Sequence, residues 1–180
     1  FWHVADLSYL SFGWYIDDLE IWVGVPQFTG DFEAGWVDWS ASHGVWEIGT
    51  PSSGLGACYE GTQCAGTVLT GYYPAGTHSR LVSAPFTLEA DAGEEIQLRF
   101  QHWFSYASGD SGEVQIQELL QDGTWGEWTS VSDPFEPATG GSPVWSRAAV
   151  DLTAYQGATV RLGFWHVADL SYLSFGWYID

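Results

Sequence analysis

The sequence predicts an all-β chain, folded as an antiparallel two-sheet β-sandwich of the jelly-roll type. Apolar and polar residues alternate with period two in segment after segment, as in strands with one buried face. Clusters of Gly, Pro, Ser and Asp separate those segments. Aromatic residues make up 17% of the chain, a β-favouring composition, and no capped helical periodicity competes with it. Many short strands of this kind pack most simply as two sheets face to face.

In chain order, the first strand candidate is 14–23, where Tyr15, Leu19, Ile21 and Val23 share a face with Asp17. VGVPQFTG at 23–30 follows, with Pro26 and two glycines, and reads as a turn or linker. Residues 67–70 and 79–88 (SRLVSAPFTL) are further candidates. In 96–104, Ile96, Leu98, Phe100, His102 and Phe104 alternate with Gln97, Arg99, Gln101 and Trp103. EVQIQEL at 113–119 is next, and Leu152–Gln156 reads as a helical turn. In 158–166, Ala158, Val160, Leu162 and Phe164 occupy one face; Thr159, Arg161, Gly163 and Trp165 occupy the other.

One phrase occurs twice: FWHVADLSYLSFGWYID stands at 1–17 and again, without a difference, at 164–180. The chain therefore reads as slightly more than one period of a tandem array. On that reading residues 1–24 are the C-terminal strand region of a preceding repeat. Residues 25–180 are one jelly-roll repeat lacking the end of its last strand. Identical sequence at the two ends leads to an expectation of strand complementation, with copies of the chain joined head to tail.

Charge narrows the partners. There are 23 acidic residues against four arginines and no lysine, a net charge of −19. Nucleic acid and anionic membranes require a positive surface and are excluded as partners. No apolar run is long enough for membrane insertion. Neighbouring acidic domains repel one another unless cations intervene, so divalent cations or a salty medium are the expected remedy. The two cysteines, Cys58 and Cys64 in CYEGTQC, suit a small disulfide-closed loop; zinc would need two more ligands. A disulfide implies an oxidising, extracellular setting, and so short a loop gains little stability from it.

The phrases GDFEAGW (30–36), WEIGTP (46–51), SRLVSAPFTL (79–88), LRFQHWFSY (98–106), GEVQIQE (112–118), WSRAAVDLTAYQG (145–157) and GWYIDDLEI (13–21) form an ordered set. That set resembles the MAM-like jelly-roll domains, in the form found in secreted bacterial proteins such as immune-inhibitor-A-type proteases and large surface proteins. The cysteine pattern of animal MAM domains is missing. The resemblance implies a non-catalytic, extracellular β-sandwich used for adhesion or assembly. It also implies a structural Ca2+ where first and last strands meet, at Asp31 and Glu33 with Asp17 and Asp18, or Asp180 in the second copy. Parity gives partial independent support, because a carboxylate on the buried face, as at Asp17, must be paired or metal-bound. Calcium needs only oxygen donors. The alternative is that Asp17 accepts backbone N–H bonds. Asp110 with Glu113 is a second oxygen cluster, although Asp-Ser-Gly is equally ordinary turn chemistry.

Trp and Tyr are abundant. Trp2, Trp14, Trp22, Trp103, Trp165 and Trp177 are expected to anchor contacts between copies, since indoles bury large area at interfaces. Trp36, Trp39, Trp46, Trp103, Trp125, Trp128, Trp145 and Trp165 are alternatively stacking platforms for glycans. Catalysis finds little support: G-x-S-x-G, H-E-x-x-H and a phosphate loop are all missing. Glu113 and Glu118 fall on opposite strand faces and cannot act as a glycosidase pair. His102, on an apolar face, reads as a hydrogen-bonded core residue. The function expected is an extracellular structural repeat that builds a fibre or long surface protein. The alternatives are a carbohydrate-binding module and the non-catalytic domain of a secreted protease.

Overall fold

The computed structural model describes residues 30–91, 93–137 and 144–180. Among them eleven strands, numbered β1–β11 in chain order, form two antiparallel sheets. The first sheet runs β1 (Trp39–Ser42), β4 (His78–Ser83), β10 (Thr159–Val167), β7 (Ser111–Glu118), β8 (Thr129–Ser130), with β5 (Phe86–Thr87) also on β10. The second runs β2 (Glu47–Gly49), β3 (Cys64–Gly66), β11 (Gly176–Ile179), β6 (Gln97–Ser105), β9 (Ser146–Asp151). This is the two-sheet sandwich that alternation predicts. No helix among the described residues is long and apolar enough to cross a membrane.

The alternating segments become the long central strands, because a one-residue slip would send every apolar side chain to water. Leu81, Val114, Ile116, Val160, Leu162 and Phe164 of the first sheet meet Ala65, Phe100, Phe104, Val150, Trp177 and Ile179 of the second in one buried cluster. Segment 79–88 splits into β4 and β5 around Pro85, whose missing N–H cannot continue a ladder. Segment 67–70 is not a strand. Thr67 still bonds Trp177 through its backbone N–H, but the Leu69 N–H is taken by the Glu47 carboxylate and the chain turns away. The helical turn expected at Leu152–Gln156 is a 3-10 turn, Thr153–Tyr155.

Two of the expected inter-copy anchors are buried within the chain itself. Trp177 is 0% exposed, its ring packed among those of Trp46, Phe100, Phe135 and Phe164. Its inward direction follows from register: Trp177 pairs with Phe104, whose side chain also points into the core. Trp103 does lie on the outer face of the second sheet, as parity requires. There Leu69 and Tyr178 pack beside it in a small second cluster. The 52–56 turn closes over it: a Cβ on Gly54 would come within 2.7 Å of the Trp103 ring. Trp103 and Trp177 therefore anchor this fold rather than a neighbour.

Candidate ligand-binding face

The outer face of the first sheet carries a different arrangement. β10 places Arg161, Gly163 and Trp165 outward, opposite Gln117, Gln115 and Glu113 of β7; Trp165 also lies opposite Arg80 of β4. Trp125 and Trp128 enter from the segment that leads into β8. Gly163 leaves a gap in the middle of β10, and Arg80 and Trp128 fill it. A Cβ there would lie 2.6 Å from Arg80 Cδ and 2.7 Å from Trp128 Cζ3.

The result is a ladder of alternating indoles and guanidinium groups. Arg80 Cζ lies 4.2 Å from the Trp165 ring and 4.4 Å from that of Trp128. Arg161 Cζ lies 4.4 Å from the Trp125 ring and 5.4 Å from that of Trp128. Each such contact stabilises by about 0.5–2 kcal/mol, more as water is excluded. The rungs are also fixed from below. Arg80 Nε donates to Gln115 Oε1 at 2.8 Å and Arg161 Nε to Gln117 Oε1 at 2.7 Å. Gln115 Nε2 donates to Glu113 Oε1, which also accepts from Ser130 Oγ, and Gln117 Nε2 donates to the Gly126 carbonyl. Both glutamines are buried, so neither is free to let its arginine swing.

Burial holds the Arg80 pKa below the usual arginine value; the Glu113 charge opposes this and the Arg161 charge adds to it. Arg161 is lowered by burial as well. Among the described residues Arg80 and Arg161 make their hydrogen bonds through Nε alone, which leaves their Nη groups without a protein acceptor there. This surface can bind and orient a ligand; it holds no nucleophile–base pair.

The tryptophans proposed as glycan platforms thus divide. Trp125, Trp128 and Trp165 converge on the ladder. Trp46 is buried in the core, Trp39 packs against it, and Trp145 joins the cluster around Trp103. Trp36 is exposed elsewhere, in the segment leading to β1. The arginines and glutamines were not singled out from the sequence. The available signal was Gly163 at the centre of a strong strand, which marks close approach by another group.

The acidic residues expected to hold a metal lie elsewhere. Glu33 Oε1 accepts the backbone N–H groups of Thr62 and Gln63, each at 2.7 Å, and Oε2 accepts from Thr62 Oγ1. Those bonds lower its pKa. Asp180 Oδ2 accepts the Glu60 N–H at 2.9 Å. Its pKa is raised by burial, and the Glu33 and Glu60 charges add to this against the Glu60 and Tyr59 N–H groups. Glu33 and Asp180 therefore meet at one loop, which the Cys58–Cys64 disulfide closes. Asp31 accepts the Glu33 N–H locally. The donor chemistry suits calcium, but among the described residues no three acidic, His or Cys side chains converge as a metal centre. Asp17, Asp18, Trp2, Trp14 and Trp22 lie outside the described residues.

Asp110 does not join Glu113. It is 1% exposed, with Oδ2 taking the Tyr73 hydroxyl at 2.5 Å and Oδ1 the Asp169 N–H at 2.7 Å. Glu113 is on the outer face of β7, bonded to Gln115 and Ser130. A buried carboxylate with its oxygens already on internal donors is a structural group.

No family model matches the sequence. The chain is 31% identical over 159 residues to Bacillopeptidase F of Bacillus subtilis (strain 168), covering 85% of this chain and 10% of that protein. It is 33% identical over 106 residues to Pre-pro-metalloprotease PrtV of Vibrio cholerae, covering 55% of this chain and 11% of that protein. The chain thus spans about a tenth of the length of the curated relatives it matches. Among solved structures, it is similar to the K2 cleaved adhesin domain of Lys-gingipain, with TM-score 0.51 and 14% identity, covering 84% of this chain and 94% of that one. Another similar structure is described by the promiscuous specificity of carbohydrate-binding modules from the β-sandwich superfamily. Its TM-score is 0.51 at 14% identity, covering 83% of this chain and 58% of that one. At this identity the likeness speaks to architecture, and it does not single out the MAM-like domains that the ordered phrases resemble. The chain is an antiparallel two-sheet β-sandwich, of the architecture that these adhesin and carbohydrate-binding domains share.

Proposed function

We propose that this chain is a non-catalytic, extracellular glycan-binding module, carried within a larger secreted protein, and that the Trp–Arg ladder is its binding face. The observation that carries this is the convergence of Trp125, Trp128, Trp165, Arg80 and Arg161 on one solvent-facing sheet, each arginine braced by a buried glutamine. Prepaid ordering of side chains is what a binding surface needs, because little entropy is then lost on association. Carbohydrate-binding and adhesin domains with the same architecture support the reading, as do the disulfide and the protease relatives. Titration calorimetry against a panel of soluble polysaccharides tests it. At least one is expected to bind, and Trp128→Ala is expected to weaken that binding at least tenfold. An unchanged affinity in that variant would place binding elsewhere.

A structural calcium ion at the Cys58–Cys64 loop is a further part of this proposal. Glu33 and Asp180 would hold it, and the crowding of negative charge around Asp180 supports it.

Head-to-tail assembly of copies is the second reading. The duplicated phrase supports it: the GWYI ending of its second copy is a central strand, paired on both sides by β3 and β6. The same sequence elsewhere has the pattern to serve a neighbouring sheet. Sedimentation at rising protein concentration tests this, and a single monomer species throughout would set it aside.

A further inference from the structure

We infer that the ligand of the ladder is an acidic polysaccharide whose negative groups are sparse, read by the Nη groups of Arg80 and Arg161 as carboxylate or sulfate oxyanions. This deepens the proposed glycan-binding function and rests on it.

Three observations lead here. Trp128 has a guanidinium close to its ring from each arginine, and Trp125 and Trp165 each have one. Indole faces already engaged by cations offer little stacking area to a neutral sugar ring. What remains for a ligand is the polar edge of the ladder. That edge consists of Nη groups with no protein acceptor among the described residues, since each arginine spends only Nε on its glutamine. A planar guanidinium fork matches carboxylate and sulfate oxygens bidentately, and such charge-assisted bonds are the strong ones.

The second observation is the proximity of two like charges. Glu113, bonded to Gln115 and Ser130, offsets part of the Arg80 charge, and both guanidinium groups lie against indole rings. An arriving anion relieves their mutual repulsion. Burial is the main cause of the lowered Arg80 pKa; the Glu113 charge opposes it and the Arg161 charge adds to it.

The third concerns charge density. The chain carries −19 overall, so a densely charged polyanion is repelled before it reaches two cations. A mostly neutral chain with occasional oxyanions is not. At ionic strengths where the screening length is about 8–10 Å, the local contact survives while the distant repulsion fades.

Pectins of graded methyl-esterification test this on one backbone, with κ-carrageenan and its desulfated form as the sulfate arm. The protein used is the unmodified chain, so no variant's folding enters the main comparison. Half-esterified pectin is expected to bind at least tenfold tighter than fully esterified pectin. Fully de-esterified pectin is expected to bind more weakly than the half-esterified form at low salt and to recover at about 0.15 M, a physiological ionic strength. Binding of κ-carrageenan but not pectin would assign the oxyanion to sulfate; binding of both would leave either acceptable. The paired substitution Arg80→Gln with Arg161→Gln is expected to abolish the preference without creating one for the neutral forms. Equal affinity for acidic and neutral forms of one polysaccharide overturns this inference and leaves glycan binding standing. Absence of binding to every polysaccharide overturns both, as does arginine-dependent self-association in place of binding, which would give the face to a second copy.

Discussion

Arg80 crosses β10 directly over Gly163, and this single relationship sets the geometry of the ladder. Because residue 163 has no side chain, the guanidinium reaches Gln115 on the far strand and Trp128 settles beside it. Replacing Gly163 by Val should fold with a loss of about 1–3 kcal/mol, the cost of overpacking. The same change should displace Arg80 and remove glycan binding. Chemical denaturation and calorimetry measure the two effects on one sample; binding that survives Gly163→Val would mean that the ladder is not the site.

Tryptophans on the two faces should behave differently when truncated. Trp177→Ala is expected to cost about 3–5 kcal/mol, since it empties the centre of the core. Trp165→Ala should cost about 1–2 kcal/mol, the loss of a half-buried ring and one cation contact. Binding should fall in the second variant and persist in any Trp177 variant that stays folded. Urea midpoints give the first comparison.

Two buried histidines make stability depend on pH. His102 Nδ1 accepts the Trp177 indole N–H at 3.2 Å; an indole can only donate, so this ring is neutral. His166 sits between the Tyr106 and Thr77 hydroxyls. Burial depresses both to about 4, with the His78 charge adding at His166. An unfolded histidine titrates near 6.5, so between that value and about 4 the unfolded chain binds the extra protons. Their contribution to stability is complete above about pH 6.5 and declines as pH falls to about 4. Acidification also relieves the overall negative charge, which acts in the opposite direction. The test is therefore comparative: His102→Gln should lose less stability than the unmodified chain between pH 7 and 5, the difference being roughly half of the two-histidine contribution. An identical shift in both would remove His102 from the account.

Asp180 should respond to neutralisation. Its pKa is raised by burial and by the Glu33 and Glu60 charges, so its surroundings disfavour the charged form relative to a free carboxylate. Asp180→Asn is expected to raise the melting temperature by a few degrees in chelator, roughly the effect of 1 kcal/mol or less. If the proposed calcium binds there, added Ca2+ should stabilise the unmodified chain and not this variant. Calorimetric scans with and without the ion decide it.

The long strands were legible because alternation is a direct consequence of one buried face. The splits at Pro85 and after Gly66 were harder to see, since they depend on which backbone groups are taken by distant side chains such as Glu47. The outward direction of Trp103 followed from parity, but the 52–56 turn that covers it has no periodicity to announce it. Glu33 and Asp180, which the family resemblance grouped as calcium ligands, both reach the Cys58–Cys64 loop, where they bond backbone N–H groups. The ladder was not legible, because Arg80, Trp128 and Arg161 come together only through register across three strands and one missing side chain.

Nuclear magnetic resonance of the indole and arginine Nε–H groups during titration with half-esterified pectin tests the central claim most directly. The account predicts shifts at Trp125, Trp128, Trp165, Arg80 and Arg161, with Trp103 and Trp177 unmoved. Shifts confined to other residues, or none at a concentration where binding is measured, would contradict it.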